Sequence, residues 1–225
     1  NILLNSNTDD NGGAINLDRV TLASNGGNIS LVGGSDGSGY AQGINTDASG
    51  NLPVQTLLKG IFLNGTYLNA TGTSSGGNIL LRGKGWQGTA NTTEFLFPIG
   101  IDIVAYNLNG NTRGTAFTTN GAGTITLDGI GGNQNNNTAH NVGINLYSAI
   151  SAANIISSES GAISIKGTAG DQTLSSLYAG FNLDGGVSNI YSTSGNITIE
   201  GVAANSTDIG IRSAGTLNMG WDGTN

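Results

Sequence analysis

The sequence predicts an all-β protein: a right-handed parallel β-helix, or β-solenoid, of about five rungs, with three short strands per rung and loops of variable length. Three observations predict it. A glycine-led motif of alternating aliphatic residues returns along the chain, a second and looser motif lies between its copies, and charged residues at equivalent places alternate in sign.

The first motif is a glycine, a small or polar residue, then aliphatic, polar, aliphatic. It reads GAINL at Gly13, GNISL at Gly27, GNILL at Gly77, GTITL at Gly123, GAISI at Gly161, GNITI at Gly195 and GTLNM at Gly215. Side chains two apart on a strand share a face, so Ile79 and Leu81, Ile125 and Leu127, Ile163 and Ile165, Ile197 and Ile199 line one side. Each copy is a short strand with one face buried.

The second motif is GIFL at Gly60, GIDI at Gly100, GINL at Gly143, GFNL at Gly180 and, weakly, GIRS at Gly210. In the longest unit Gly43 and Gly60 compete to open it. A third apolar stretch follows near Leu68, Ile155 and Ile190, which gives three strands per unit. The units shorten along the chain, and most of the change falls between the glycine closing the first strand and the glycine opening the second. That step is 27 residues from Gly33 to Gly60, 17 from Gly83 to Gly100, 14 from Gly129 to Gly143, 13 from Gly167 to Gly180 and 9 from Gly201 to Gly210. Propeller blades keep a steadier length. A solenoid accepts such variation because its strands stack while its loops project from one flank. The right hand follows from the near-universal handedness of parallel crossovers.

Outward residues test the stacking. The residue after each first strand is Val32, Arg82, Asp128, Lys166 and Glu200, and the four charges alternate in sign. With rungs ~4.8 Å apart they form a ladder that sets register more than stability. On the second strand the outward position reads Asp102, Asn145, Asn182, Arg212, and Asn145 over Asn182 suits a side-chain amide ladder. The best helical candidate, around Ser151 to Ile156, is short and rich in isoleucine, so it is read as strand or loop.

Composition narrows the function. Seven basic residues are scattered against fourteen acidic ones, for a net charge of -7, which leaves no phosphate-reading surface for nucleic acid. No cysteine and one histidine, His140, exclude disulfides, thiolate sites and multi-histidine zinc sites; no cofactor is expected. No apolar run has the length of a membrane span. The first residues have no signal-peptide pattern, so any export address lies outside this stretch. The repeat starts within a dozen residues of Asn1, still runs at Met219 and has no polar cap. The whole of 1–225 is therefore read as one segment of a longer solenoid, with end-to-end or lateral association with itself or adjoining repeats.

GGNISLVG, SGNITIEG, GAISIKG and GTITLDG resemble the repeats of filamentous haemagglutinin-like large exoproteins, from about Gly12 to Met219. The resemblance implies a bacterial cell-surface or secreted β-helical adhesin, exported by an outer-membrane partner, with no catalysis. Two of that family's features are missing. There is no Asn-Pro-Asn-Gly secretion motif, the only prolines being Pro53 and Pro98. There is no Arg-Gly-Asp triplet either, since Arg82-Gly83 runs on to Lys84 and Arg113-Gly114 to Thr115.

The alternative is a polysaccharide-active β-helix enzyme, resembling pectate lyase or polygalacturonase. Asn45-Thr46-Asp47 and Asn7-Thr8-Asp9-Asp10 match one short signature of the latter, but no Asp-Asp pair follows Asp47, His140 stands in Ala-His-Asn rather than Gly-His-Gly, and no Arg-Ile-Lys occurs. Glycoside hydrolysis needs two carboxyl groups about 5 to 9.5 Å apart, and such a pair beside a basic residue would decide for the enzyme. A self-stacking filament subunit is a further alternative. Asp9, Asp10, Asn11 and Gly12 fit an Asx-rich turn better than a calcium loop, and His140 is read as a solvated loop residue. Tyr40, Trp86, Phe95 and Phe97 lie in the longest loops and are the candidate contacts for a carbohydrate or cell-surface receptor. The run Thr93 to Pro98 is expected to fold back over the solenoid wall.

Overall fold

Strict alternation, with a glycine where each strand begins, produces flat, half-apolar strands that must stack to bury their apolar side. The computed structural model of the chain describes residues 1–6, 12–45, 55–88, 95–108, 111–134, 140–148, 152–171 and 179–220. Three parallel sheets wrap around one core. The first sheet stacks Ile2–Asn5, Ile29–Val32, Ile79–Lys84, Ile125–Ile130, Ile163–Thr168 and Ile197–Val202. The second stacks Ile15–Asp18, Ile61–Asn64, Ile101–Val104, Ile144–Tyr147, Ala179–Asp184 and Ile209–Ser213. The third stacks Thr21–Ala23, Tyr67–Asn69, Ala116–Thr118, Asn154–Ser158, Val187–Ser192 and Thr216–Met219. The fold is a parallel β-helix, and no helix occurs among the described residues.

Among the described residues six strands stack along the main path of each sheet, giving six rungs, one more than the repeat count suggests. The additional rung is opened by Ile2–Asn5, a first-sheet strand without the glycine motif, and two motif copies belong to other sheets. The strand after Gly13 lies in the second sheet, its first-sheet partner being Ile2–Asn5, and the strand after Gly215 lies in the third. Gly60, not Gly43, opens the second strand of the longest rung, because Ile61–Asn64 pairs with Ile101–Val104. Ala41–Gln42 instead extends the first sheet by pairing with Gly83 and Lys84. The segment after Ser151 is a strand, Asn154–Ser158.

The core is a set of columns one residue wide. Ile29, Ile79, Ile125 and Ile163 are in register in the first sheet, Ile61, Ile101, Ile144 and Phe181 in the second, and Leu68, Phe117, Ile156 and Ile190 in the third. All are almost completely buried. Each such side chain contributes ~1.5–3 kcal/mol relative to exposure. In the last rung Ile211 and Met219 stay 52% and 51% exposed, since no further described rung covers them.

The corners carry polar groups. Between the second and third sheets Thr66, Thr115, Asn154 and Ser188 are buried. Asn154 Oδ1 accepts from the Thr115 backbone N–H at 3.1 Å, and Thr115 Oγ1 donates to the Val104 carbonyl at 2.7 Å. Bends in the chain leave backbone groups without sheet partners, and Thr66, Thr115 and Asn154 satisfy them. Between the third and first sheets Ser158 and Ser192 do the same for the carbonyls of Gly123 and Gly161.

The loops leave and return at the corner between the first and second sheets. There the closing glycine of one strand meets the opening glycine of the next: a Cβ on Gly167 would lie 1.9 Å from the Gly180 carbonyl oxygen, and one on Gly129 2.4 Å from that of Gly143. No side chain fits. That pinch lets loops of unequal length insert without disturbing the strands on either side.

Candidate functional site

The loops emerging at this corner fold over the outer face of the second sheet. They have a small core of their own, in which Leu58 and Leu96 are buried and Trp86 packs against them. Backbone bonds tie successive loops together: Trp86 N–H donates to the Leu58 carbonyl at 2.9 Å, Gly132 N–H to Pro98 at 2.7 Å, and His140 N–H to Leu96 at 2.8 Å. The apolar run predicted to fold back does so at Leu96, while Phe95 remains 56% exposed. Thr93 and Glu94 lie outside the described residues.

Beneath this cover runs a polar column. Phe62, Asp102, Asn145, Asn182 and Arg212 occupy the same outward position on five successive rungs. Outward positions of a solenoid ordinarily meet water, yet Asp102, Asn145 and Asn182 are 3%, 8% and 1% exposed. They survive burial because each is hydrogen-bonded. Lys59 Nζ donates to Asp102 Oδ2 at 2.5 Å, Asn145 Nδ2 to Asp102 Oδ1 at 2.8 Å, Asn182 Nδ2 to Asn145 Oδ1 at 2.7 Å, and Arg212 Nη1 to Asn182 Oδ1 at 2.9 Å. Every bond in the chain is donated toward the Asp102 carboxylate, so a negative charge at one end orients the amide groups above it. Both cations are held: Lys59 also lies 4.1 Å over the Phe62 ring, and Arg212 reaches Asp184 at 3.5 Å.

Phe62, Asp102, Asn145 and Asn182 of this column form the floor of a cleft of about 400 Å³. Val104, Tyr147 and Asp184 extend the floor, two residues further along the same strands, and Phe97, Ile99, His140 and Val142 make the wall. His140 is therefore not a solvated loop residue. Its ring meets that of Phe97 edge-on with centroids 4.9 Å apart, and burial depresses its pKa below the ordinary imidazole range, keeping it neutral.

The other sequence candidates are placed differently. Trp86 belongs to the loop core, Phe95 sits outside the cleft, and Tyr40 lies on the first-sheet side. The Tyr40 hydroxyl donates to Asp128 Oδ2 at 2.6 Å, and burial together with that bond pushes its pKa up to about 12. Of the four aromatic candidates Phe97 alone lines the cleft. The register sets Arg82, Asp128, Lys166 and Glu200 in one column on the first sheet. Arg82 Nε lies 3.9 Å from Asp128 Oδ2 and Lys166 Nζ 3.2 Å from Glu200 Oε1, all on side chains at least 22% exposed. Asp9, Asp10, Asn11 and Asp47 lie outside the described residues. Among the described residues no group of three or more His, Asp or Glu is arranged to hold a metal ion, and no helix is long and apolar enough to cross a membrane.

Lys59 and His140 were the residues hardest to find from sequence, since neither belongs to a repeat position. The Asp-Asn-Asn-Arg row was visible as a column, but nothing in its own strands says that loops bury it. Two carboxylates share the cleft. Asp184 stands two rungs and two residues from Asp102, roughly 12 Å backbone to backbone. Both Asp102 oxygens are already engaged. Compared with known proteins, the chain matches no family profile, no curated protein and no solved structure.

Proposed function

We propose that this chain is a structural and adhesive β-solenoid segment of an extracellular or cell-surface fibre of the filamentous haemagglutinin-like kind. The observation that carries the reading is the division of labour between strands and loops. Unbroken parallel sheets give a stiff rod, while most of the length variation is discharged through one corner, where it builds a walled cleft without altering the rod. The rows of aliphatic residues at the terminal rungs suit continuation into adjoining repeats. Antibody raised against the folded chain, applied to intact cells that make it, is expected to decorate surface fibres. Labelling that appears only after the cells are permeabilised overturns the reading.

A second reading is favoured by the gathering of Asp102, Asp184, His140 and Lys59 around one cleft, the constellation that a polysaccharide-active enzyme would need. Against it, both oxygens of the Asp102 carboxylate are already bound, by Lys59 and Asn145. Release of reducing ends or unsaturated products from polygalacturonate, lost in Asp184→Asn, would establish it in place of the first.

A further inference from the structure

We infer that the cleft on the second sheet is a binding site for a neutral saccharide, held between the Asn145–Asn182 amide ladder and two aromatic rings, Phe97 in the wall and Tyr147 on the floor. The inference rests on the adhesive reading only for its biological use, and its chemistry stands separately. A cleft of about 400 Å³ is within the size range of small-ligand sites, which combine mostly apolar walls with a few fixed polar groups.

The charges decide the sign of the ligand. Lys59 is neutralised by Asp102, and Arg212 is shared between Asp184 and Asn182. His140 is kept neutral by its burial. The cleft thus offers no uncompensated charge to an anionic or cationic ligand, and binding one would expose it to a buried charge of its own sign.

The polar floor decides its functional groups. An amide side chain has two N–H donors and two acceptor lone pairs. In the ladder Asn145 and Asn182 each commit one N–H and one lone pair along the solenoid axis. The second N–H and second lone pair of Asn145, 8% exposed, remain to face a ligand as a donor and acceptor pair, while Asn182, 1% exposed, fixes the Asn145 amide from the next rung. A sugar hydroxyl donates and accepts at once, and adjacent hydroxyls on a ring match such a pair. The apolar wall decides its shape. Phe97 is braced edge-on by His140, and Tyr147, 36% exposed, lies on the floor beside the ladder. A pyranose supplies a flat C–H face for the rings and a rim of hydroxyls for the amides.

The test is saturation-transfer NMR on the whole chain with cellobiose, maltose, lactose and chitobiose as probes, followed by titration. At least one is expected to bind, with affinity reduced about three- to tenfold by Phe97→Ala and similarly by Tyr147→Ala. Tyr67→Ala, on the third sheet, is expected to leave it unchanged. The cleft variants lie outside the core columns, and their circular dichroism should match that of the parent. The proposal is overturned if none of the four binds, if binding persists unchanged in both cleft variants, or if only oligogalacturonate binds. Saccharide binding without surface labelling of cells would remove the adhesin reading and leave this site standing.

Discussion

The outer faces of the first and second sheets are built from the same repeat, yet they differ in what they do with charge. On the first, Lys166 and Glu200 pair at 3.2 Å with about half of each side chain in water. On the second, Lys59 and Asp102 pair at 2.5 Å with 11% and 4% of their side chains exposed. The strands are equivalent; the difference is that the loops cover the second-sheet face, whereas on the first they reach Asp128 and Arg82 through Tyr40 and Ser38 but leave Lys166 and Glu200 in water. An exposed ion pair is worth ~0.2–1 kcal/mol. A buried pair is costly to form but still costlier to break, at ~3–5 kcal/mol for removal of one partner. In this solenoid a residue's position in the repeat sets its column, and loop coverage sets its energetic weight.

The largest expected effect comes from unpairing the covered face. Lys59→Met removes the cation above Asp102 and leaves a buried carboxylate held only by Asn145; urea unfolding should register a loss of ~3–5 kcal/mol. Lys166→Met, its counterpart on the open face, should cost less than about 1 kcal/mol. Equal losses would mean that the loops do not exclude water from the second sheet.

A smaller effect is expected from breaking the amide chain. Asn182→Leu leaves Asn145 Oδ1 without its donor and Arg212 without one acceptor, at a cost of ~1–3 kcal/mol. Ser164→Leu, on the first sheet, should be nearly neutral, because Leu80 already occupies the same outward column two rungs away. The two thermal midpoints, compared directly, check this.

The smallest effect is pH-dependent. His140 has a folded pKa below its ordinary 6.5, so the unfolded chain binds the proton more readily. Stability linked to His140 is then fully present above the unfolded pKa, is lost as pH falls through it, and levels off below the folded pKa. Thermal midpoints measured from pH 8 down to pH 5 should fall in the parent, and the fall should be shallower in His140→Gln. An identical slope in both would place His140 in water.

How much of this was legible follows from the same contrast. The strands after Gly77, Gly123, Gly161 and Gly195 were readable because period-two alternation is local and all four fall in one sheet. Gly13 and Gly215 misled for a related reason: all three sheets use the same alternation, so a motif identifies a strand and not the sheet that holds it. The second-sheet column was readable as a row of residues, and Asn145 over Asn182 is a bonded pair at 2.7 Å. Its burial was not readable, because it depends on Lys59, 43 residues before Asp102, and on Phe97 and His140 in loops without periodicity. Trp86 illustrates the converse, an aromatic in a long loop that fills the loops' own core with Leu58 and Leu96.

The most direct test of the account is a pair of double-mutant cycles, Lys59 with Asp102 and Lys166 with Glu200, each partner replaced singly and together by an uncharged residue of similar length. The account predicts a coupling energy for Lys59 and Asp102 several times that for Lys166 and Glu200, which should itself lie within ~0.2–1 kcal/mol and fade as salt is raised. Couplings of equal size, or a Lys59–Asp102 coupling that salt abolishes, would contradict the claim that the loops turn one face of this solenoid into an enclosed site.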